Sequence, residues 1–159
     1  MGTLGDKNYK AGLILFSIGE GLAILEAIGL LIYDIILNLS EKLYGYANWQ
    51  TVIYIAVSIL LTAAVIIFAA LTKKSAEEKQ TKIFSILLMI FSGVAILYGI
   101  YGVLNNIMTD MSYYYFTEIS EIISYAARQL LLLIVSGNGF IIIGAAILLF
   151  FGFKKRQVN

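Results

Sequence analysis

The chain contains no histidine, no cysteine and no proline. Without His and Cys, histidine-held haem, the usual zinc sites, iron–sulfur clusters, thiol catalysis and disulfides are all excluded, so no cofactor and no metal are expected. Without Pro, no helix carries a proline kink, and a long apolar run reads as one continuous rod. Charge is also scarce: 13% of the 159 residues are Asp, Glu, Lys or Arg, and the net charge is +1. A nucleic-acid partner is not expected from that balance.

What fills the chain instead is apolar: 60% of residues are hydrophobic and the mean hydropathy is +0.89. Soluble domains lie nearer one half apolar, so the composition is that of a membrane protein. Four long apolar runs cover approximately 11–37, 51–72, 83–107 and 130–153. Each is near or above the roughly 20 residues that cross a hydrocarbon core. The expectation is an all-α, integral membrane four-helix bundle forming a single domain over 1–159, surrounded by membrane lipid. The first run follows Lys7 and Lys10 as a signal peptide would, but it is too long and lacks a small-residue cleavage site. It reads as a retained span.

Nine of the eleven cations fall before the first run, between the second and third, and after the fourth: Lys7, Lys10, Lys73, Lys74, Lys79, Lys82, Lys154, Lys155 and Arg156. The positive-inside rule then predicts a multi-pass protein of the cell membrane with both termini cytoplasmic. The other two connections hold Lys42 and Arg128 and are aromatic, with Tyr44, Tyr46 and Trp49 in one and Tyr113, Tyr114, Tyr115 and Phe116 in the other. Aromatics there suit an interfacial belt, or alternatively a patch for an external partner. Residues 117–129, opening at a Thr117 N-cap, read as an external helical extension of the fourth span.

A weak internal repeat is visible. Shifting the sequence by 72 positions sets Gly21 on Gly93, Ala23-Ile24-Leu25 on Ala95-Ile96-Leu97 and Ile28 on Ile100. A shift of 82 lays Ala63-Ala64-Val65 on Ala145-Ala146-Ile147 and Phe68 on Phe150. The matches suggest two tandem helical hairpins; composition rich in Ile, Leu, Ala and Gly generates similar matches without duplication.

The polar positions inside the spans carry the functional question. Glu20, Glu26 and Asp34 all lie on the first run, and an acidic group near the centre of a span costs about 2.5 to 3.5 kcal/mol on insertion scales. At 100° per residue, Gly12, Gly19 and Glu26 align, as do Glu20, Ala27 and Asp34, opposite a face of Ile14, Ile18, Leu25 and Ile32. Small residues beside the acids invite close approach by another helix. Depth counted from the lysines of each span puts Glu26, Ser58, Tyr98 and Asn138 in one layer, and Asp34, Asn106 and Arg128 in another nearer the outer surface. The expected seam is Glu20, Glu26, Ser92, Tyr98 and Asn138, with Tyr98 and Asn138 donating to Glu26 and Arg128 neutralising Asp34. Ser136-Gly137-Asn138-Gly139 weakens the fourth span locally and reads as a tight crossing point, or as a broken-helix site.

No P-loop, no Ser, Asp and His set and no HExxH is present, so catalysis is not expected. The expected function is a non-catalytic accessory, scaffold or assembly subunit that meets other membrane-protein chains or its own copies. The alternative is a small oligomeric proton- or cation-coupled transporter or channel using Glu20 and Glu26. In gross form that alternative is similar to the small multidrug resistance transporters, which have four helices and an essential Glu in the first. The resemblance covers only the helix count and that residue type, and the charge bias here argues against the dual insertion some of that family use.

Overall fold

A computed structural model describes residues 4–40, 49–113, 118–135 and 137–157. The described residues are helical throughout, apart from the short α2–α3 turn and residue 118. In chain order the helices are α1 (Leu4–Ser40), α2 (Trp49–Lys74), α3 (Glu78–Tyr113), α4 (Ile119–Val135) and α5 (Gly137–Gln157). Four are long and apolar enough to cross a membrane, over Lys7–Ile36, Thr51–Lys74, Glu78–Leu104 and Gly137–Gln157. The last of these overlaps the expected 130–153, and it is preceded by α4, whose described side chains from Ile119 to Arg128 are nearly all exposed.

α5 is the helix around which the others are arranged. It packs extensively on both α1 and α3, α3 packs on α2, and α2 packs on α1, while α2 and α5 barely meet. Half of α5's apolar window is buried, against 22–28% in the other three.

Glycines explain the closeness of α1 and α5. Gly12 faces Gly144 and Gly19 faces Gly137. A step of seven along α1 is thus matched by a step of seven back along α5, which fixes an antiparallel register. A Cβ at Gly144 would run into the Phe16 backbone nitrogen, and one at Gly19 would stand 2.6 Å from the Gly137 carbonyl oxygen. Only hydrogen fits there. α3 approaches α5 in the same manner through Gly99 and Gly102, the latter directly under the Asn138 side chain.

At one end, Tyr9 ties three helices together. Its ring lies 5.2 Å from that of Phe151 and 4.7 Å from the Lys73 Nζ, a cation–π contact. The start of α1, the end of α2 and the end of α5 therefore share one level, and the lysine-rich segments gather at that end. The α2–α3 turn there is tight: Ser75 N–H donates to the Leu71 carbonyl, the Ser75 and Thr81 hydroxyls bond at 2.8 Å, and Thr81 N–H donates to the Glu77 carbonyl.

The 72-residue shift is matched in burial. Phe16 and Leu88, Glu20 and Ser92, Ala23 and Ala95, and Ala27 and Gly99 are buried pairs. The 82-residue shift is not so matched, because Ala63 is exposed whereas Ala145 is fully buried. α5 packs extensively on α1 and α3 and α2 packs more lightly on the same two helices, so equivalent sequence positions meet different surroundings.

The glycine contacts make a direct prediction. Gly144→Ala should lower stability by about 2 kcal/mol, as overpacking against a rigid backbone does. Gly21→Ala, where a Cβ meets nothing within 4 Å, should be neutral or slightly stabilising through helix propensity. Reversible unfolding in detergent, compared between the two variants, checks this; equal losses would contradict the packing.

Candidate functional site: a buried carboxylate among hydroxyl groups

Glu20 is 1% exposed, and neither carboxylate oxygen has a partner at hydrogen-bond geometry. It lies eleven residues, about 16 Å of helix, beyond Tyr9, and Thr62, beside it on α2, lies the same eleven residues back from Lys73. This depth is near the middle of a hydrocarbon core of about 30 Å.

The surrounding hydroxyl groups follow from local helix chemistry. Inside an apolar helix a Ser or Thr hydroxyl usually bonds back to the carbonyl four residues earlier. Thr62 does so, donating to the Ser58 carbonyl at 2.7 Å. Thr81 donates likewise to the Glu77 carbonyl, and Ser85 to the Thr81 carbonyl. The Thr62 hydroxyl, which donates to the Ser58 carbonyl, also stands beside the Glu20 carboxylate as a hydrogen-bonding group.

Ser58 departs from the pattern for a visible reason. The carbonyl four residues earlier belongs to Tyr54, and the Tyr98 hydroxyl from α3 donates to it at 3.3 Å. The two tyrosine rings are stacked at 5.2 Å. Ser58 is fully buried and its hydroxyl has no partner at hydrogen-bond geometry, although it lies beside both tyrosines. Ser92 on α3 is also fully buried with an unpartnered hydroxyl. Tyr54 and Tyr98 both lie within electrostatic reach of Glu20.

The layer built by Glu20 replaces the one expected around Glu26. Glu26 is exposed on α1, Tyr98 donates to Tyr54 and not to a carboxylate, and the Asn138 side chain is packed against Gly102 on α3. The cause is the α1–α5 register. It sets Gly137, the first residue of α5, against Gly19 and Ala23, so Glu26 lies beyond the start of α5, and among the described residues α4 does not pack substantially on α1. The outer pair is not assembled either. Arg128 is exposed on α4 and makes no ion pair among the described residues, whereas Asp34 is half-buried and has an interaction of its own. Asn106 belongs to α3, and its side chain lies outside the described residues, as do Thr117, Tyr44 and Tyr46.

Thr62 and Tyr54 were not among the expected site residues. The available signal was the i, i+4 spacing of Ser58 and Thr62, which puts both on one face of α2. The packing that brings this face to Glu20 has no sequence signature. No family model, no curated protein and no solved structure matches the chain, so the site is interpreted from its own chemistry.

Tyr98→Phe, which removes one hydroxyl bond, should lower stability by about 1 kcal/mol. Tyr98→Leu should cost about 1 kcal/mol more, because the stack on Tyr54 is lost as well. Unfolding midpoints in detergent for the two variants measure the difference.

Proposed function

We propose that this chain is a four-helix integral membrane protein with both termini cytoplasmic, acting as a non-catalytic accessory, scaffold or assembly subunit. The observation that carries the reading is Glu26. Within the α1 span it is exposed, one turn from the exposed Leu22 and Leu30. A carboxylate left facing lipid costs several kcal/mol, and a neighbouring helix that supplies a hydrogen-bond donor removes that cost. Gly29, three residues on, is also exposed, and a Cβ there meets nothing within 4 Å. A partner backbone can approach at that point. α4, little covered by the rest of the chain and carrying an exposed Arg128, supports the same reading, since it offers an opposite charge to an assembled neighbour, whether a second copy or another chain.

The absence of native cysteine makes the test clean. Gly29→Cys, labelled in native membranes with a short thiol-directed photocrosslinker, should give a discrete adduct with another polypeptide. Leu60→Cys, on α2 and 70% exposed, should give none. Adding Glu26→Leu should reduce the Gly29 adduct several-fold. Monomer alone at both positions overturns the assembly reading.

The second reading, a small proton- or cation-coupled transporter or channel, is favoured by one observation: the unpartnered carboxylate of Glu20 near mid-depth. Liposome flux that is present in the wild type and abolished by Glu20→Gln supports it. Absence of flux, or flux indifferent to both Glu20→Gln and Glu26→Gln, removes it.

A further inference from the structure

We propose that α4 is a membrane-embedded helix and not an extension into solvent. It lies in the lipid boundary opposite the lysine-rich end, with Ile119, Ile122 and Ile123 against acyl chains, so that the partner of this face is the lipid surface itself. Two independent observations lead there: the sidedness of α4, and the level at which it adjoins α5.

Sidedness follows from exposure and helical period together. At 100° per residue Ile119, Ile122, Ile123 and Ala126 fall on one side of α4, and Glu121, Ser124 and Arg128 fall opposite. All seven side chains are exposed, Ile119 at 76% and Ile123 at 64%. Among the described side chains of α4 the two that are half-buried are Tyr125 and Gln129, four residues apart on a third stripe. A helix on the surface of a soluble domain turns its apolar stripe inward. α4 does the reverse: the stripe it turns inward bears a hydroxyl and an amide, and every described apolar side chain is left outside. Such an inversion is stable where the outside is lipid. The branched aliphatics exposed here are also those of the outer face of α1, with Ile14, Ile18 and Ile32.

The level of the α4–α5 junction is the second observation. A Cβ at Gly137, the first residue of α5, would meet Gly19, Leu22 and Ala23. Gly19 is ten residues beyond Tyr9 at the lysine-rich end, about 15 Å of helix and thus near the middle of a hydrocarbon core of about 30 Å. Residue 136 alone separates α5 from α4, so the C-terminal end of α4 lies inside the hydrocarbon layer. About ten residues of upright helix take up the half-thickness that remains. The wholly apolar sequence from Leu130 to Val135 suits that depth, and Ile119 to Arg128 then reach the boundary. Among the described residues α4 packs lightly on α5 and not substantially on α1, α2 or α3, so the other helices do not hold it upright. A helix with an apolar stripe and a polar side settles into the plane of the interface, with Glu121, Ser124 and Arg128 toward headgroups and water.

The inference rests on the membrane reading and not on assembly, which is tested at Gly29. The experiment uses the full chain in vesicles of phosphatidylcholine and phosphatidylglycerol. Because the chain has no native cysteine, single nitroxide labels can be placed by Ile119→Cys, Ile123→Cys, Ser124→Cys and Arg128→Cys, with Leu60→Cys on α2, 70% exposed, as the lipid-facing reference. Collision with oxygen, which concentrates among acyl chains, is compared with collision with a neutral nickel chelate, which stays in water. Oxygen should exceed nickel several-fold at positions 119 and 123, as at 60, and nickel should exceed oxygen at 124 and 128. Nickel predominating at all four α4 positions puts the helix in water and overturns the proposal; if it predominates at 60 as well, the membrane reading falls with it. Suppressed collision with both reagents at 119 and 123 shows protein on that face, a second copy or another chain, and rejects lipid as its partner. Oxygen predominating at all four sinks the helix wholly in hydrocarbon and rejects the interfacial placement.

Discussion

Between helices in lipid there is no hydrophobic driving force, because lipid tails are as apolar as leucine, so association rests on close packing and interhelical hydrogen bonds. The backbone contact of α1 with α5, through Gly12, Gly19, Gly137 and Gly144, is the constraint on which the other positions depend. It sets the register of the two helices, and α5 then receives α3 on its other side through Gly99, Gly102 and Gly152. α2 completes the arrangement against α3 and α1. The level at which α5 begins also determines which acids of α1 are covered.

That last consequence separates Glu20 from Glu26. Six residues on a helix turn through 600°, so the two side chains leave α1 on different faces. Glu20 turns toward α2 and is sealed. Glu26 lies past the Gly19–Gly137 contact, where α5 has not yet begun. One helix therefore carries an acid that the fold itself encloses and another that it leaves to its surroundings. The face that Glu20 turns toward α2 encloses the one, and the glycine register of α1 on α5 leaves the other uncovered.

The parts legible from sequence were those governed by composition and period. The four apolar runs, the small-residue stripe of α1 with its exposed Ile14, Ile18, Leu25 and Ile32, and the crossing at Gly137 could be read without coordinates. Which faces meet at a given depth could not. Counting from the lysines already sets Glu20 near the level of Thr62, and the contact of Lys73 with Tyr9 agrees with that level, but it does not tell which side of α2 is turned to α1. Hydroxyl partners were illegible for a different reason: a Tyr hydroxyl can donate to any nearby carbonyl, and only the stacking of Tyr98 on Tyr54 directs it to one on α2.

The enclosed and open carboxylates share a neighbour. Tyr54 lies within electrostatic reach of both Glu20 and Glu26, and its carbonyl holds the Tyr98 hydroxyl, whose departure would return an acceptor to Ser58. In a low-dielectric interior such fields are weakly screened, so a positive charge brought against Glu26 from outside changes the potential at the residue that also faces Glu20. Because α1 is locked on α5 by backbone contact, it has little freedom to relax that change by moving. Tyr54 is therefore the residue at which the fields of the enclosed and the open carboxylate overlap.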